Sequence, residues 1–272
     1  DFDTPQFIKD FAIESLQAGK TKYTPVAGVP LLCQAIAEKL RRENSVTYQP
    51  AQIVVSCGAK HSLALIFQTL LNPGDEVLIP APYWLSYPEM IRIAGGVPRF
   101  IASSPEASFK ITPADVAAAV TARTVAIVIN SPSNPTGTMY SPGELRALGE
   151  AALRHDLTII SDEIYEKMVY EGNTFASMAG FSPELYANTI TVNGMSKAYA
   201  MTGWRLGAAI APEKMASYMS TMNTNNESCT THFVQYAGVA ALTGPAQAAR
   251  TCWACSRVAA TRRTRSRRPS RA

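Results

Sequence analysis

VAIVINSPSNPTG, residues 125–137, sets two opposed textures side by side. The first half is a near-continuous apolar run, as expected for a strand covered on both faces rather than one. From Asn130 to Gly137 the text NSPSNPTG is too rich in Pro, Asn and Gly for the interior of any element. It must be a loop at the strand's C-terminal end. In open α/β sheets that edge is where ligands bind.

Similar runs recur on both sides. Candidate strands are Ile53–Ser56, Val77–Pro80, Val97–Ile101, Val125–Asn130, Thr158–Ser161, Thr189–Asn193 and Leu206–Ala211. Amphipathic stretches such as Lys60–Leu71 and Pro142–His155 lie between them, and Asn72-Pro73-Gly74-Asp75 is a strong turn before a strand. Strand–helix alternation of this kind predicts an α/β fold, three layers with a mainly parallel central sheet between helices. No internal repeat is visible.

The chain has 272 residues, 47% hydrophobic and 17% charged, ordinary for a soluble globular protein with one large domain. No run approaches the ~20 apolar residues that span a bilayer, and no signal peptide is visible, so the default expectation is cytoplasmic. The net charge of +4 comes from the end: Arg250 to Ala272 holds eight arginines and no acid, and the rest carries 17 basic against 21 acidic residues. The residues from 249 to 272 are expected to be an irregular Arg-rich tail with almost nothing apolar to bury; a nucleic-acid or membrane contact is the alternative for such a segment. Five cysteines in no secretory context are expected to be reduced. Cys252 and Cys255 have C-x-x-C spacing, but no second pair or clustered histidine completes a metal site, and His61, His155 and His232 lie far apart.

The chemistry-bearing residues sit where strands end. In GMSKAYAMTGWRLG, residues 194–207, Lys197 lies between Ser196 and Ala198 directly after an apolar strand, and Arg205 lies between Trp204 and Leu206. A surface loop with two solvated cations has the same composition. In tight, apolar surroundings, however, the amine would be free for imine formation and Arg205 could clamp a phosphate bidentately. Asp162, after the strand at 158–161, is most simply a helix N-cap; buried against a pyridine nitrogen it would keep that nitrogen protonated, and Tyr165 could reach the same ring's hydroxyl. Cys57-Gly58-Ala59-Lys60 opens a helix whose free N–H groups suit an anion. Trp84 offers an aromatic plate at the same edge, or plain packing.

The collinear set Gly58-Ala59-Lys60, Tyr83-Trp84, Asn134-Pro135-Thr136-Gly137, Asp162-Glu163-Ile164-Tyr165, Ser196-Lys197 and Arg205 resembles the class I/II aminotransferases of pyridoxal-phosphate (PLP) fold type I, most of all the bacterial aspartate enzymes. KTKYTPVAG at 20–28 fits the same pattern. The resemblance implies that residues 1–248 form the PLP-binding large domain, incomplete at both ends, with the small domain largely missing. It implies that Lys197 forms the Schiff base and shuttles the substrate's α-proton, that Asp162 pairs with the pyridinium nitrogen, and that Asn134 and Tyr165 hydrogen-bond the phenolic oxygen. Trp84 would stack on the ring. Gly58, Ala59 and Lys60 would hold the phosphate with Arg205, and Ser196 belongs to the cofactor-binding set. Tyr23 would reach the phosphate of a neighbouring subunit in a homodimer. Lys60, with Trp84 and Asn134, would contact the substrate, Lys60 through a distal carboxylate.

The resemblance implies a C-terminal segment that supplies an arginine for the substrate's α-carboxylate; no counterpart to it is expected in the text after about residue 248, and a frame disruption there would account for the change of texture. The expected function is transfer of an amino group from an acidic amino acid such as aspartate to a 2-oxo acid. The alternatives are a PLP-dependent lyase or β-eliminase on the same residues, and a catalytically impaired PLP-binding fragment.

Overall fold

All seven expected strands form, with ends shifted by one residue at most: β1 (Ile53–Ser56), β2 (Glu76–Pro80), β3 (Val97–Ile101), β4 (Thr124–Asn130), β5 (Thr158–Asp162), β6 (Thr189–Gly194) and β7 (Gly207–Ile210). They make one sheet in the order β1-β7-β6-β5-β4-β2-β3. Every pairing from β6 through β3 is parallel, and β7 alone runs against both of its neighbours. The computed structural model describes residues 2–170 and 172–245. The tail at 249–272, its arginines, Cys252 and Cys255 lie outside the described residues, as does the expectation of a frame disruption there.

The helices are α1 (Gln6–Gln17), α2 (Pro30–Lys39), α3 (Ala59–Leu70), α4 (Ser86–Ile93), α5 (Pro113–Ala119), α6 (Pro142–Arg154), α7 (Pro183–Asn188), α8 (Met195–Ala198), α9 (Glu213–Asn226) and α10 (His232–Thr243). Side chains alternate across a strand, and β4 shows what this does. Ala126 and Val128 enter a core with Leu63, Ile66, Ile91 and Met219 from α3, α4 and α9. Ile127 and Ile129 enter the opposite core with Val116, Leu145, Leu148 and Leu185 from α5, α6 and α7. At the β1–β7 end, Ile53, Val55 and Ile210 pack on Ile8, Leu32 and Val234 from α1, α2 and α10. Two-sided burial is why the strands read as unbroken apolar runs. Helix starts are fixed locally. At α6 the Glu144 N–H donates to Ser141 Oγ at 3.3 Å and the Ser141 N–H to Glu144 Oε2 at 2.7 Å, with Pro142 in the first turn.

Strand direction gathers the site. β1, β2, β4, β5 and β6 point the same way, so their C-terminal ends share one edge, and reversal of β7 brings its first residue to that edge too. Among the described residues no helix is long and apolar enough to cross a membrane, no cluster of metal-ligating side chains occurs, and Cys33, Cys57 and Cys229 are free thiols.

Below the turn that follows β5 lies a buried ion pair. Lys39, 4% exposed, pairs with Glu166, 5% exposed. Asn44 joins them: Lys39 Nζ donates to Asn44 Oδ1 at 3.0 Å, and Asn44 Nδ2 donates to Glu166 Oε2 at 2.8 Å. Asn44 ends a π-helical turn, Leu40–Asn44, that extends α2. Burial pushes the Glu166 carboxyl up, but the Lys39 and Lys167 charges and the hydrogen bonds from Lys39 and Asn44 outweigh it and hold the group below the ordinary carboxylate range. A carboxyl depressed in the folded state adds stability above its unfolded value and loses that stability as pH falls through the folded one. Lys39→Met strands the Glu166 charge and should cost about 3–5 kcal/mol in urea unfolding at neutral pH. The penalty should shrink on acidification, because protonation removes the stranded charge; a penalty below about 1 kcal/mol at neutral pH would contradict this account.

Candidate active site

The strand ends enclose an open cleft of about 510 Å³, walled by Ala59, Lys60, Leu63, Trp84, Tyr87, Asn130, Asn134, Asp162, Ile164, Tyr165, Ser196, Lys197, Thr202 and Arg205. Of the eleven positions singled out in the sequence, nine meet here: Ala59, Lys60, Trp84, Asn134, Asp162, Tyr165, Ser196, Lys197 and Arg205. Gly58 lies just behind them. Tyr23 is elsewhere, 88% exposed, beside a separate hollow formed with Lys22, Cys229, His232 and Phe233.

Asp162 is the last residue of β5 and is 4% exposed. It does not cap a helix, contrary to the simplest expectation. The Ile164 N–H donates to its Oδ1 at 3.2 Å, closing a turn, and the Tyr87 hydroxyl donates to its Oδ2 at 2.6 Å. Burial raises the carboxyl above its ordinary value, and those two hydrogen bonds oppose the rise. Tyr87 is fully packed, edge-on to Trp84 with centroids 5.3 Å apart. Burial and the neighbouring Asp162 charge raise its phenol well above the usual value, so it stays a donor.

Asn130, which faces Asp162 across the β4–β5 ladder, ties the NSPSNPTG loop to the sheet. Its Nδ2 donates to Asp162 O at 2.9 Å, and its Oδ1 accepts the Asn134 N–H at 2.8 Å. Asn134 is thereby aimed at Tyr165, and its Nδ2 donates to the Tyr165 hydroxyl oxygen at 3.3 Å. Burial, then the Asp162 charge, push the Tyr165 phenol up, and the Asn134 bond opposes them. Lys197 lies on the single turn α8 between buried Ser196 and Ala198, with its Nζ 5.7 Å from the Tyr165 ring centroid.

At the other end, Gly58 starts α3 with φ +84° and ψ 161°, a backbone that L side chains rarely adopt. A Cβ at Gly58 would sit 2.5 Å from Arg205 Nη2, so the glycine leaves room for the guanidinium. A Cβ at Gly207 would sit 2.5 Å from Ala59 N and 2.7 Å from Gly58 C. The start of β7 therefore lies flush against the helix-opening turn. Arg205 Nη1 donates to Thr202 O at 2.9 Å, and the residue lines the cleft. Lys60 holds its Nζ 5.1 Å from the Trp84 ring centroid at the rim. The cleft thus offers an amine, an acid–phenol pair at a buried floor, and a cationic cradle opening on free helix N–H groups.

The family described as aminotransferase class I and II matches residues 1–268. The chain belongs to it. Aspartate aminotransferase from Geobacillus stearothermophilus is 49% identical over 245 residues, 90% of this chain and 62% of that protein. The probable aspartate/prephenate aminotransferase of Aquifex aeolicus is 51% identical over the same shares. The structure of Thermus thermophilus aspartate aminotransferase with maleate superimposes with a TM-score of 0.92 at 44% identity, over 97% of this chain and 68% of that one. This aminotransferase-family chain spans about 62% of the length of the curated relatives it matches.

Tyr87, Asn130 and Thr202 were not among the expected residues. For Tyr87 a signal existed in the text: it follows Trp84 by three residues, close enough for the single turn that leads into α4, where the Tyr87 N–H donates to Trp84 O at 3.1 Å, to bring both to the cleft. Tyr87→Phe should move the Asp162 midpoint further up, in an isotope-edited infrared titration, because one of the two bonds opposing burial is lost. It should also cost about 1–3 kcal/mol of stability. An unchanged midpoint would remove Tyr87 from the control of Asp162.

Proposed function

We propose that this chain is the large part of a PLP-dependent aminotransferase that takes the amino group from an acidic amino acid, aspartate first, and gives it to a 2-oxo acid. The observation that carries this is the single cleft in which the Lys197 amine, the buried Asp162–Tyr87 pair and the Arg205–Gly58 cradle meet. The donor set suits the cofactor: a glycine whose Cβ would fill the cradle for an anion, a buried carboxyl for a ring nitrogen, and paired Asn134 and Tyr165 for a phenolic oxygen. When bound, PLP joins an amine through its aldehyde, and its protonated ring draws electrons from an adjacent C–H bond.

Each residue then has a task. Arg205 and the N–H groups of Ala59 and Lys60 bind the phosphate, using charge and the start of α3 together, while Gly58, its own N–H given to Ser56 O at 2.7 Å, supplies the turn that lets the anion approach. Asp162, held in place by Tyr87 and the Ile164 N–H, keeps a proton on the ring nitrogen. Asn134 and Tyr165 would orient the phenolic oxygen, and Trp84 would stack on the ring. Lys197 is the covalent anchor and the base that moves the proton from the substrate's α-carbon. Lys60 binds a distal carboxylate, which favours acidic substrates. Tyr23, exposed on its own chain, serves the phosphate site of a second copy, so the working unit is a homodimer.

Borohydride reduction after incubation with PLP should fix the cofactor mass on the peptide containing Lys197, and Lys197→Ala should lose it. A label of equal yield on another lysine would exclude the assignment. With aspartate and 2-oxoglutarate, glutamate is expected. Release of ammonia without glutamate points to the eliminase, and bound PLP with neither product points to a binding fragment.

A further inference from the structure

Seven residues, 198–204, separate Lys197 from Arg205, and this connection is strained. Ala200 and Arg205 both hold φ +52°, the left-handed region that non-glycine residues avoid. Such backbone persists only where the surroundings over-determine it. Part of that constraint is apolar: Tyr199, Met201 and Leu206 are buried. The polar part comes from the far end of the chain. Thr4, 6% exposed, donates its hydroxyl to Ala200 O at 2.7 Å and accepts the Trp204 Nε1–H at 3.0 Å. One hydroxyl therefore grips the connection at both strained ends, once beside Ala200 and once beside Arg205.

We propose that Thr4 is a positioning residue that sets the separation between the Lys197 amine and the Arg205 guanidinium, and thereby makes the cleft select an aldehyde that carries a phosphate. The inference rests on the cofactor reading given under Proposed function. A ligand held at both ends depends on the spacing of the two groups, whereas a ligand held only at Lys197 does not. A valine at position 4 keeps the shape of threonine but can neither donate to Ala200 O nor accept from Trp204; a serine can do both.

The test compares pyridoxal phosphate with pyridoxal, which lacks the phosphate. Dissociation constants are measured from visible absorbance, and attachment is checked by borohydride-fixed mass on the Lys197 peptide. Thr4→Val should weaken pyridoxal phosphate about tenfold while pyridoxal changes by less than about twofold, and Thr4→Ser should restore the parent ratio. Trp204→Phe, which removes the same contact from its other side, should reproduce the shift and serves if Thr4→Val does not fold. Equal weakening of both aldehydes, or an unchanged ratio in the variants, overturns the role of Thr4 while leaving the cleft assignment standing. If the parent protein attaches neither aldehyde at Lys197, the cleft assignment falls and this inference with it.

Discussion

A carboxylate removed from water is costly unless partners replace its hydration. Asp162 is such a group, and the centre of the molecule is arranged around it. It ends the strand flanked by β4 and β6, which places it at the bottom of the cleft and leaves few directions from which partners can come. Tyr87 meets one oxygen from α4, and the backbone of its own turn meets the other. Asn130 holds its carbonyl from the neighbouring strand. Each of those partners in turn fixes something that faces the cleft: Tyr87 supports Trp84, Asn130 aims Asn134, and the turn presents Tyr165.

The sheet was readable because burial on both faces removes polar residues from the strands, so their positions survive as plain apolar runs. The cleft residues were readable because loops at one sheet edge are rich in residues that buried strands exclude. What escaped the text is what depends on direction and distance. Leu206–Ala211 reads the same whichever way β7 runs, and only pairing with both β1 and β6 shows that it is reversed. Tyr87 and Asp162 are 75 positions apart, Lys39 and Glu166 127, and Thr4 and Ala200 196. No periodicity spans such separations. Asp162 illustrates the remaining ambiguity: a strand-ending aspartate is spelled the same whether it caps a helix or closes a turn, and only the hydrogen bond to Ile164 separates the two.

Two polar contacts outside the cleft share one design. Lys39, Glu166 and Asn44 lock the turn that bears Tyr165 to the end of α2, and Thr4 locks the connection that bears Arg205 to the start of the chain. In both places a segment remote in sequence supplies the restraint. Loops shaped by their own short-range contacts would leave the cleft side chains freer than chemistry of this kind tolerates, since small misplacement of reacting groups lowers rate steeply.

At Gly207 the backbone of β7 lies against that of Gly58 and Ala59 with no space for even a methyl group. A seam between two main chains has no side-chain rotamers with which to yield. The end of the cleft formed by Gly58, Gly207 and Arg205 is therefore its rigid end. Two residues beyond Gly58, the Lys60 ammonium rides on four rotatable bonds above an indole, so a seam that cannot yield carries a side chain that can.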